Sequence, residues 1–350
     1  MRLTRLVAGF FIMAFATYLG LDPASSAKRD TWSASWRSAL HAQAAPPSQQ
    51  DQQKPTQSQQ PLQVQTTVVN VFATVRGKGH EIVSDLAQTD FKVFEDAQEQ
   101  KISFFSKEVN MPITLGLLID TSGSMERVIG AEQDTASRFL REVMRKKDEA
   151  MVITFDFDVD LLADFTQDTN VLERAIRRAS VNSVGGGGVV TPGTIPQGNN
   201  AGGTDLYDAI YLACHDELAT EAGRKAVIVM SDMEDTGSKL RLQDAVEACQ
   251  RADGVIHVLL ISDPGATFGV GPGVARKVAD DTGGRVINVH NEKTLEKAFD
   301  EISEELRLQY VIGYYPTNEK RDGTFRKIKV EVTHPDVKVL TRRGYYAPFK

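Results

Sequence analysis

The sequence predicts an α/β fold: a doubly wound, mostly parallel, Rossmann-like sheet, with a small β-sandwich formed by the segments that flank it. Three observations predict this. Between residues 112 and 306, short apolar runs alternate with stretches of helical period. Turn-punctuated β-rich segments stand before and after that alternation. The 350 residues suffice for one large core and one smaller one, and the net charge of −7 excludes a general nucleic-acid binder, which needs a basic face.

At the N-terminus, Arg2 and Arg5 precede an apolar run from Leu6 to Leu21. The run falls short of the roughly 20 residues of a comfortable membrane helix. Small residues at 24–27 and 42–44 offer cleavage sites. Residues 1–27 are therefore expected to be a signal peptide or an N-terminal anchor. Residues 28–64, rich in Gln and Pro toward their end, are expected to be a disordered linker with too little apolar content to offset ordering entropy. The folded part is expected to be exported, whether periplasmic, cell-envelope or secreted. Membrane contact is expected only through the first segment, if it stays uncleaved.

Residues 65–108 read as an N-terminal β region. Val68, Val69, Val71 and Ala73 run into a Gly77-Lys78-Gly79 turn; Phe91, Val93 and Phe94 lead to a turn at Glu95-Asp96; Ile102, Phe104 and Phe105 form another strand. Residues 112–306 hold the alternation. Strands are expected at 113–120, 150–155, 159–165, 226–231, 255–262 and 286–289. Helices are expected around 136–143, 171–179, 206–218, 242–252, 274–279 and 295–306. Residues 308–350 return to β pattern at 308–315, 325–332 and 337–340. Neither flank can bury a core alone, so the two are expected to pack together with the central domain inserted between them. The basic residues near the end, Lys320, Arg321, Arg326, Lys327, Lys329, Lys338, Arg342 and Arg343, read as the solvated face of a sheet.

The two cysteines, Cys214 and Cys249, lie in apolar helical patterns. They read as small core residues, or as a disulfide if their helices are neighbours in an oxidising compartment.

In a doubly wound sheet, ligands bind beyond the carboxyl ends of the strands where strand order reverses. Three oxygen-rich segments stand at such ends: Asp120-Thr121-Ser122-Gly123-Ser124, Gly202-Gly203-Thr204-Asp205 and Ser231-Asp232. Hard divalent cations take oxygen ligands and keep several waters, so a few carboxylates and hydroxyls are enough. Asp120, Ser122 and Ser124 suit one side of such an ion, with Thr204 and Asp232 approaching from neighbouring loops. The alternative for the serines is helix capping.

The D-x-S-x-S pattern, the later Gly-Gly-Thr and the strand-end Asp resemble the von Willebrand factor type A domain over roughly residues 112–306. The resemblance implies a metal-ion-dependent adhesion site. Asp120, Ser122 and Ser124 would be its primary ligands, Thr204 a switchable direct ligand, and Asp232 a ligand acting through water. It further implies a divalent metal, Mg²⁺ first and Mn²⁺ or Ca²⁺ as substitutes, and a protein partner that offers an exposed Asp or Glu carboxylate. No enzymatic activity is expected. Asp90–Asp96, Tyr310–Pro316 and Arg343–Tyr346 extend the match toward the acidobacterial von Willebrand factor A-related family. One departure is Met233, where a Gly often follows the strand-end Asp.

Two alternatives remain: an envelope scaffold module with a purely structural metal, and an aspartic-protease-like hydrolase suggested by Asp120-Thr121-Ser122-Gly123. The latter needs a second, similar loop, which the sequence lacks. Asp156, Asp158 and Asp160 read as a tight hairpin with its acids facing water rather than a calcium loop. The long loop from Gly185 to Gly203 is expected to lie at the rim of the site and to shape partner access.

Overall fold

The computed structural model describes residues 68–79, 81–108, 111–181, 203–261 and 270–349. The leader, the linker and nearly all of the glycine-rich loop lie outside the described residues. The chain opens with four strands, β1 (Val69–Gly77), β2 (Phe91–Glu95), β3 (Gln98–Gln100) and β4 (Ile102–Glu108). The central part follows: β5 (Ile113–Asp120), α1 (Ile129–Val143), β6 (Glu149–Phe155), β7 (Val159–Thr166), α2 (Thr169–Ile176) and α3 (Leu206–Tyr211). It continues with β8 (Arg224–Ser231), α4 (Leu242–Arg251), β9 (Gly254–Ile261), α5 (Gly271–Thr282), β10 (Val286–Val289) and α6 (Glu292–Arg307). Four strands close the chain: β11 (Gln309–Tyr314), β12 (Phe325–Val332), β13 (Val337–Leu340) and β14 (Gly344–Tyr346).

The central sheet has the order β10-β9-β8-β5-β6-β7, parallel except for β7, which pairs antiparallel with β6. Every residue of β5 is buried, as suits a strand covered on both faces. Its alternate side chains divide between two cores. Leu115, Leu117 and Ile119 pack with α1, α2 and α6, while Leu118 packs with α3, α4 and α5. From β5 the chain moves first to β6 and then returns to β8 on the other side. The order therefore reverses between β5 and β8, and a crevice opens at their carboxyl ends.

Local chemistry sets the helix ends. The Asp168 carboxylate accepts from the Asn170 N–H at the start of α2, and Asn291 Oδ1 accepts from the Thr294 N–H in a capping box at α6. α5 ends at Gly283, whose φ of 91° needs no side chain, and a Cβ there would lie 2.4 Å from the Arg342 amide nitrogen. The predicted helix over 206–218 is not one regular helix. α3 widens into a π-helical stretch, Leu212–Glu217, followed by a 3₁₀ turn, Leu218–Thr220. Cys214 in that stretch is disulfide-bonded to Cys249 on α4, with both side chains fully buried.

The flanks build two four-stranded antiparallel sheets, β13-β1-β11-β4 and β14-β12-β2-β3. Both chain ends contribute to each, so the flanking segments form a sandwich, as the sequence predicts. Its core holds Val71, Val75, Phe91, Val93, Tyr310, Ile312, Ile328 and Val330. β3 and β14 are too short to show a sequence period, and β7 gives the parallel sheet its antiparallel edge.

Arg326 corrects the reading of the basic run as a solvated face. It is buried among the inward residues of β12 and faces the Glu95 carboxylate 3.4 Å away, while Lys327 and Lys329 do point outward. A second buried charge cluster ties the sandwich to the central domain. Arg76 on β1 pairs with Glu305 on α6, and Arg285 reaches Glu305 at 2.7 Å and Glu301 at 2.5 Å. His257 on β9 lies 3.7 Å from Glu305, and neither ring nitrogen has a hydrogen-bond partner among the described residues. Burial, reinforced by the Arg285 charge, pushes the His257 imidazole down to about 3.

Candidate metal site

Asp120 ends β5 at the strand reversal, and the register sets its neighbours. It pairs with Phe155 of β6, while Ile119 pairs with Met230 of β8, so Ser231 stands beside Asp120 on the other flank. The Ser231 hydroxyl donates to Asp120 Oδ2 at 2.6 Å, and the Ser122 N–H donates to Oδ1 at 2.9 Å. The Ser122 and Ser124 hydroxyl oxygens lie 3.1 Å apart. Ser122 precedes a short 3₁₀ turn, Gly123–Met125, but its side chain makes no cap bond, and α1 has no side-chain cap. Helix capping therefore does not explain Ser122.

The second and third loops are fastened to each other and to the first. The Thr204 N–H donates to Thr236 Oγ1 at 3.0 Å, and its carbonyl accepts from the Thr236 and Gly237 amides. The Asp205 N–H donates to the Asp156 carbonyl at 2.6 Å, and the Thr121 hydroxyl donates to the Asp156 carboxylate at 3.1 Å. Asp156 thus links the Asp120 loop to the Thr204 loop. It is buried, which corrects the water-facing reading for Asp156, while Asp158 and Asp160 are exposed as that reading expects. The position of Asp156 directly after Phe155 places it against Thr121 rather than at the exposed tip.

Asp232 follows β8 and accepts from the Glu234 N–H at 3.1 Å. Met233 takes a left-handed φ of 62° with its side chain fully buried. That conformation is the physical reason a Gly suits this position.

Of the five predicted residues, direct hydrogen bonds join Asp120, Ser122 and Ser124. Asp232 lies close enough for its charge to act on Asp120, and Thr204 is held through Thr236 and through the Asp205–Asp156–Thr121 chain. Exposure rises outward: Asp120 is fully buried, Ser122 and Asp232 are half-buried, and Ser124 is exposed.

Burial pushes the Asp120 carboxyl up to about 6 despite bonds from Ser122 and Ser231 that favour ionisation, and the Asp232 charge adds to the rise. No Lys or Arg pairs with Asp120 among the described residues. One turn into α1, Glu132 is also buried, with both carboxylate oxygens lacking a hydrogen-bond partner among the described residues. Burial, with the Asp120 charge second, raises its carboxyl to about 8. Among the described residues no group of three or more His, Cys, Asp or Glu side chains is placed to hold a metal. The five predicted residues offer two carboxylates and three hydroxyls. Hard oxygen donors of this kind fit a hydrated divalent cation, and Asp120 among them is a buried anion without a counter-ion among the described residues.

Sequence reasoning missed Ser231 as a partner of Asp120, along with Asp156, Thr236 and Glu132. Ser231 carried one signal, its place at the strand end directly before Asp232. The others depend on register and loop packing.

A doubly wound α/β domain with oxygen-bearing loops at its switch point is the class that the fold and site define. Residues 115–234 match the model of the von Willebrand factor type A domain family, and all five predicted residues fall inside the match. This part of the chain has the α/β fold of that family, with additional antiparallel sheets beside it.

No curated protein matches the chain. Among solved structures, it is similar to a von Willebrand factor type A protein from Catenulispora acidiphila at 13% identity and TM-score 0.45, over 75% of this chain and 74% of that one. It is also similar to the conserved hypothetical protein BatB from Bacteroides thetaiotaomicron, at 18% identity and TM-score 0.42 over 55% of this chain and 98% of that one. A third is the von Willebrand factor domain of the type V pili tip protein Mfa5 from Porphyromonas gingivalis, at 16% identity and TM-score 0.41 over 57% and 96%.

Proposed function

We propose that the chain is an exported, metal-dependent protein-binding module, not an enzyme, whose ligands are Asp120, Ser122, Ser124, Thr204 and Asp232. The observation that carries this reading is Asp120. A fully buried carboxylate stands at the switch point with no salt-bridge partner among the described residues, and a pair of hydroxyls 3.1 Å apart lies beside it. Such a carboxylate is costly to ionise unless positive charge arrives. A divalent cation, Mg²⁺ first and Mn²⁺ or Ca²⁺ as substitutes, supplies when bound a hard centre with coordination places open to a partner's Asp or Glu carboxylate.

The chain's own residues divide the remaining work. Asp120 brings the charge, and Ser231 and the Ser122 amide fix its orientation. Ser122 and Ser124 bring neutral oxygens, and Asp232 acts through water. Thr204 is the switchable ligand, with its backbone held by Thr236 and Gly237. With Asp232 acting through water, Asp120 is the one charged ligand in direct contact, so the cation keeps charge and a coordination place for an incoming carboxylate.

The buried Cys214–Cys249 disulfide supports an oxidising compartment, and no helix among the described residues is long and apolar enough to cross a membrane.

The test is calorimetric titration of wild type and Asp120→Ala with Mg²⁺ and Mn²⁺, followed by capture of envelope proteins on each with Mg²⁺ or chelator. Wild type is expected to bind one ion and to capture partners only with metal, and Asp120→Ala to do neither. Capture that survives both chelator and the substitution refutes the adhesive reading. An ion that raises the melting temperature without changing capture assigns the metal a structural role instead.

A further inference from the structure

We propose that Glu132 is a further residue of the cation site, a second buried carboxylate that sets metal affinity through its charge. The proposal rests on the metal-binding reading above and extends it to a helix from which that reading draws no ligand. α1 begins directly after the Asp120–Met125 segment, and the Glu132 N–H bonds the Val128 carbonyl in its first turn. Helical side chains lean toward the N-terminus of their helix, and here that direction leads back to the site loop. Glu132 is only 2% exposed, and the Asp120 charge acts on it.

The simplest other account is a structural glutamate, and the surroundings do not supply one. Among the described residues the other buried glutamates are partnered: Glu95 by Tyr314 and Tyr345, and Glu305 by Arg76 and Arg285. Both oxygens of Glu132 lack a partner among the described residues. A buried carboxyl without partners is destabilising whether it is charged or neutral. The helix N-terminus favours an anion here but offsets only part of that cost. A divalent charge at the adjacent loop stabilises both Asp120 and Glu132 as anions. An apolar residue at 132 would serve packing better, so the carboxylate is explained by the ion and not by the fold.

The test compares wild type, Glu132→Gln and Asp120→Ala as full chains, with MgCl₂ and MnCl₂ as probes. It combines calorimetric titration with melting in chelator and in saturating metal. Glu132→Gln is expected to weaken Mg²⁺ binding by about tenfold or more, since a unit charge acts on a divalent ion through protein. The same variant is expected to melt above wild type in chelator, because a buried carboxylate has been removed. This pair of opposite changes is one that a purely structural role would not produce. A Glu132→Gln affinity within twofold of wild type overturns the proposal while leaving the metal site intact. Wild type that binds neither ion overturns the underlying reading instead.

Discussion

Glu95 in the sandwich and Asp120 at the sheet reversal are both buried carboxylates, at 2% and 0% exposure, yet their surroundings differ in kind. Glu95 accepts from the Tyr314 hydroxyl at 2.8 Å and the Tyr345 hydroxyl at 3.0 Å, with the Arg326 guanidinium 3.4 Å away. Asp120 accepts from a serine hydroxyl and an amide, with no cation partner among the described residues, the Asp232 charge acting on it, and its own charge acting on the buried Glu132. In the sandwich a carboxylate and its counter-ion are both built into the chain, so the charge serves the fold. At the reversal the negative charge is built in and no Lys or Arg stands against it among the described residues. A buried anion without a counter-ion marks a binding site better than burial or acidity alone does.

The sharpest way to break this comparison is to remove each carboxylate. Glu95→Ala leaves Arg326 buried without its carboxylate and is expected to lower unfolding stability by about 3–5 kcal/mol. Asp120→Asn in chelator is expected to leave stability unchanged or to raise it, because a desolvated charge disappears while an acceptor oxygen remains. Urea denaturation of both variants in chelator measures this. Equal losses in the two would show that Asp120 serves the fold as Glu95 does.

A pH series sharpens the contrast through groups of opposite sign. His257, at the joint between sandwich and central domain, is held at about 3 in the folded chain against an ordinary 6.5. The unfolded chain takes up that proton first, so the stability His257 contributes is present above pH 6.5 and is lost as pH falls toward 3. The loss is expected to reach about 3 kcal/mol by pH 4. Glu132 is held at about 8 against an ordinary 4.5. Its contribution is present below pH 4.5 and is lost as pH rises toward 8, again by roughly 3 kcal/mol at neutrality. In chelator, stability against denaturant is expected to peak in mildly acidic solution. Glu132→Gln should reduce the alkaline arm to the part that Asp120, held at about 6, contributes, and His257→Gln should flatten only the acidic arm. An alkaline arm undiminished in Glu132→Gln would remove that residue from the account.

What could be read in the sequence follows the range of the interactions involved. β5 and the Asp120-Thr121-Ser122-Gly123-Ser124 segment were legible because strand, turn and donor oxygens are contiguous. The Glu95–Arg326 pair was half legible. Period two along Phe91, Val93 and Glu95, and along Arg326, Ile328 and Val330, points both charged residues inward. Residue type argued for water, and the pairing that resolves the conflict joins positions 231 apart. Ser231 became a partner of Asp120 only through the β5–β8 register, and Asp156 acquired its role only when two loops met over its backbone. The disulfide needed α3 and α4 to be neighbours, which no pattern within either helix encodes. The Met233 departure was visible, but its meaning lay in a backbone angle.

Met233 gives the finest test of how the Asp232 loop is held. Its left-handed φ of 62° costs a non-glycine residue about 1–2 kcal/mol, while its fully buried side chain contributes more than that by packing. Met233→Gly relieves the strain and loses the packing, so stability is expected to fall by about 1–3 kcal/mol. Met233→Ala loses the packing and keeps the strain. At an ordinary position Ala is more stable than Gly, because Gly gives the unfolded chain more freedom. Here the order should invert, with the Gly variant the more stable by about 0.5–1 kcal/mol. Metal affinity should stay close to wild type in Met233→Gly, since the turn keeps its conformation and Asp232 its direction. If the Ala variant proves the more stable, the turn is not left-handed in solution, and the placement of Asp232 beside Asp120 loses its support.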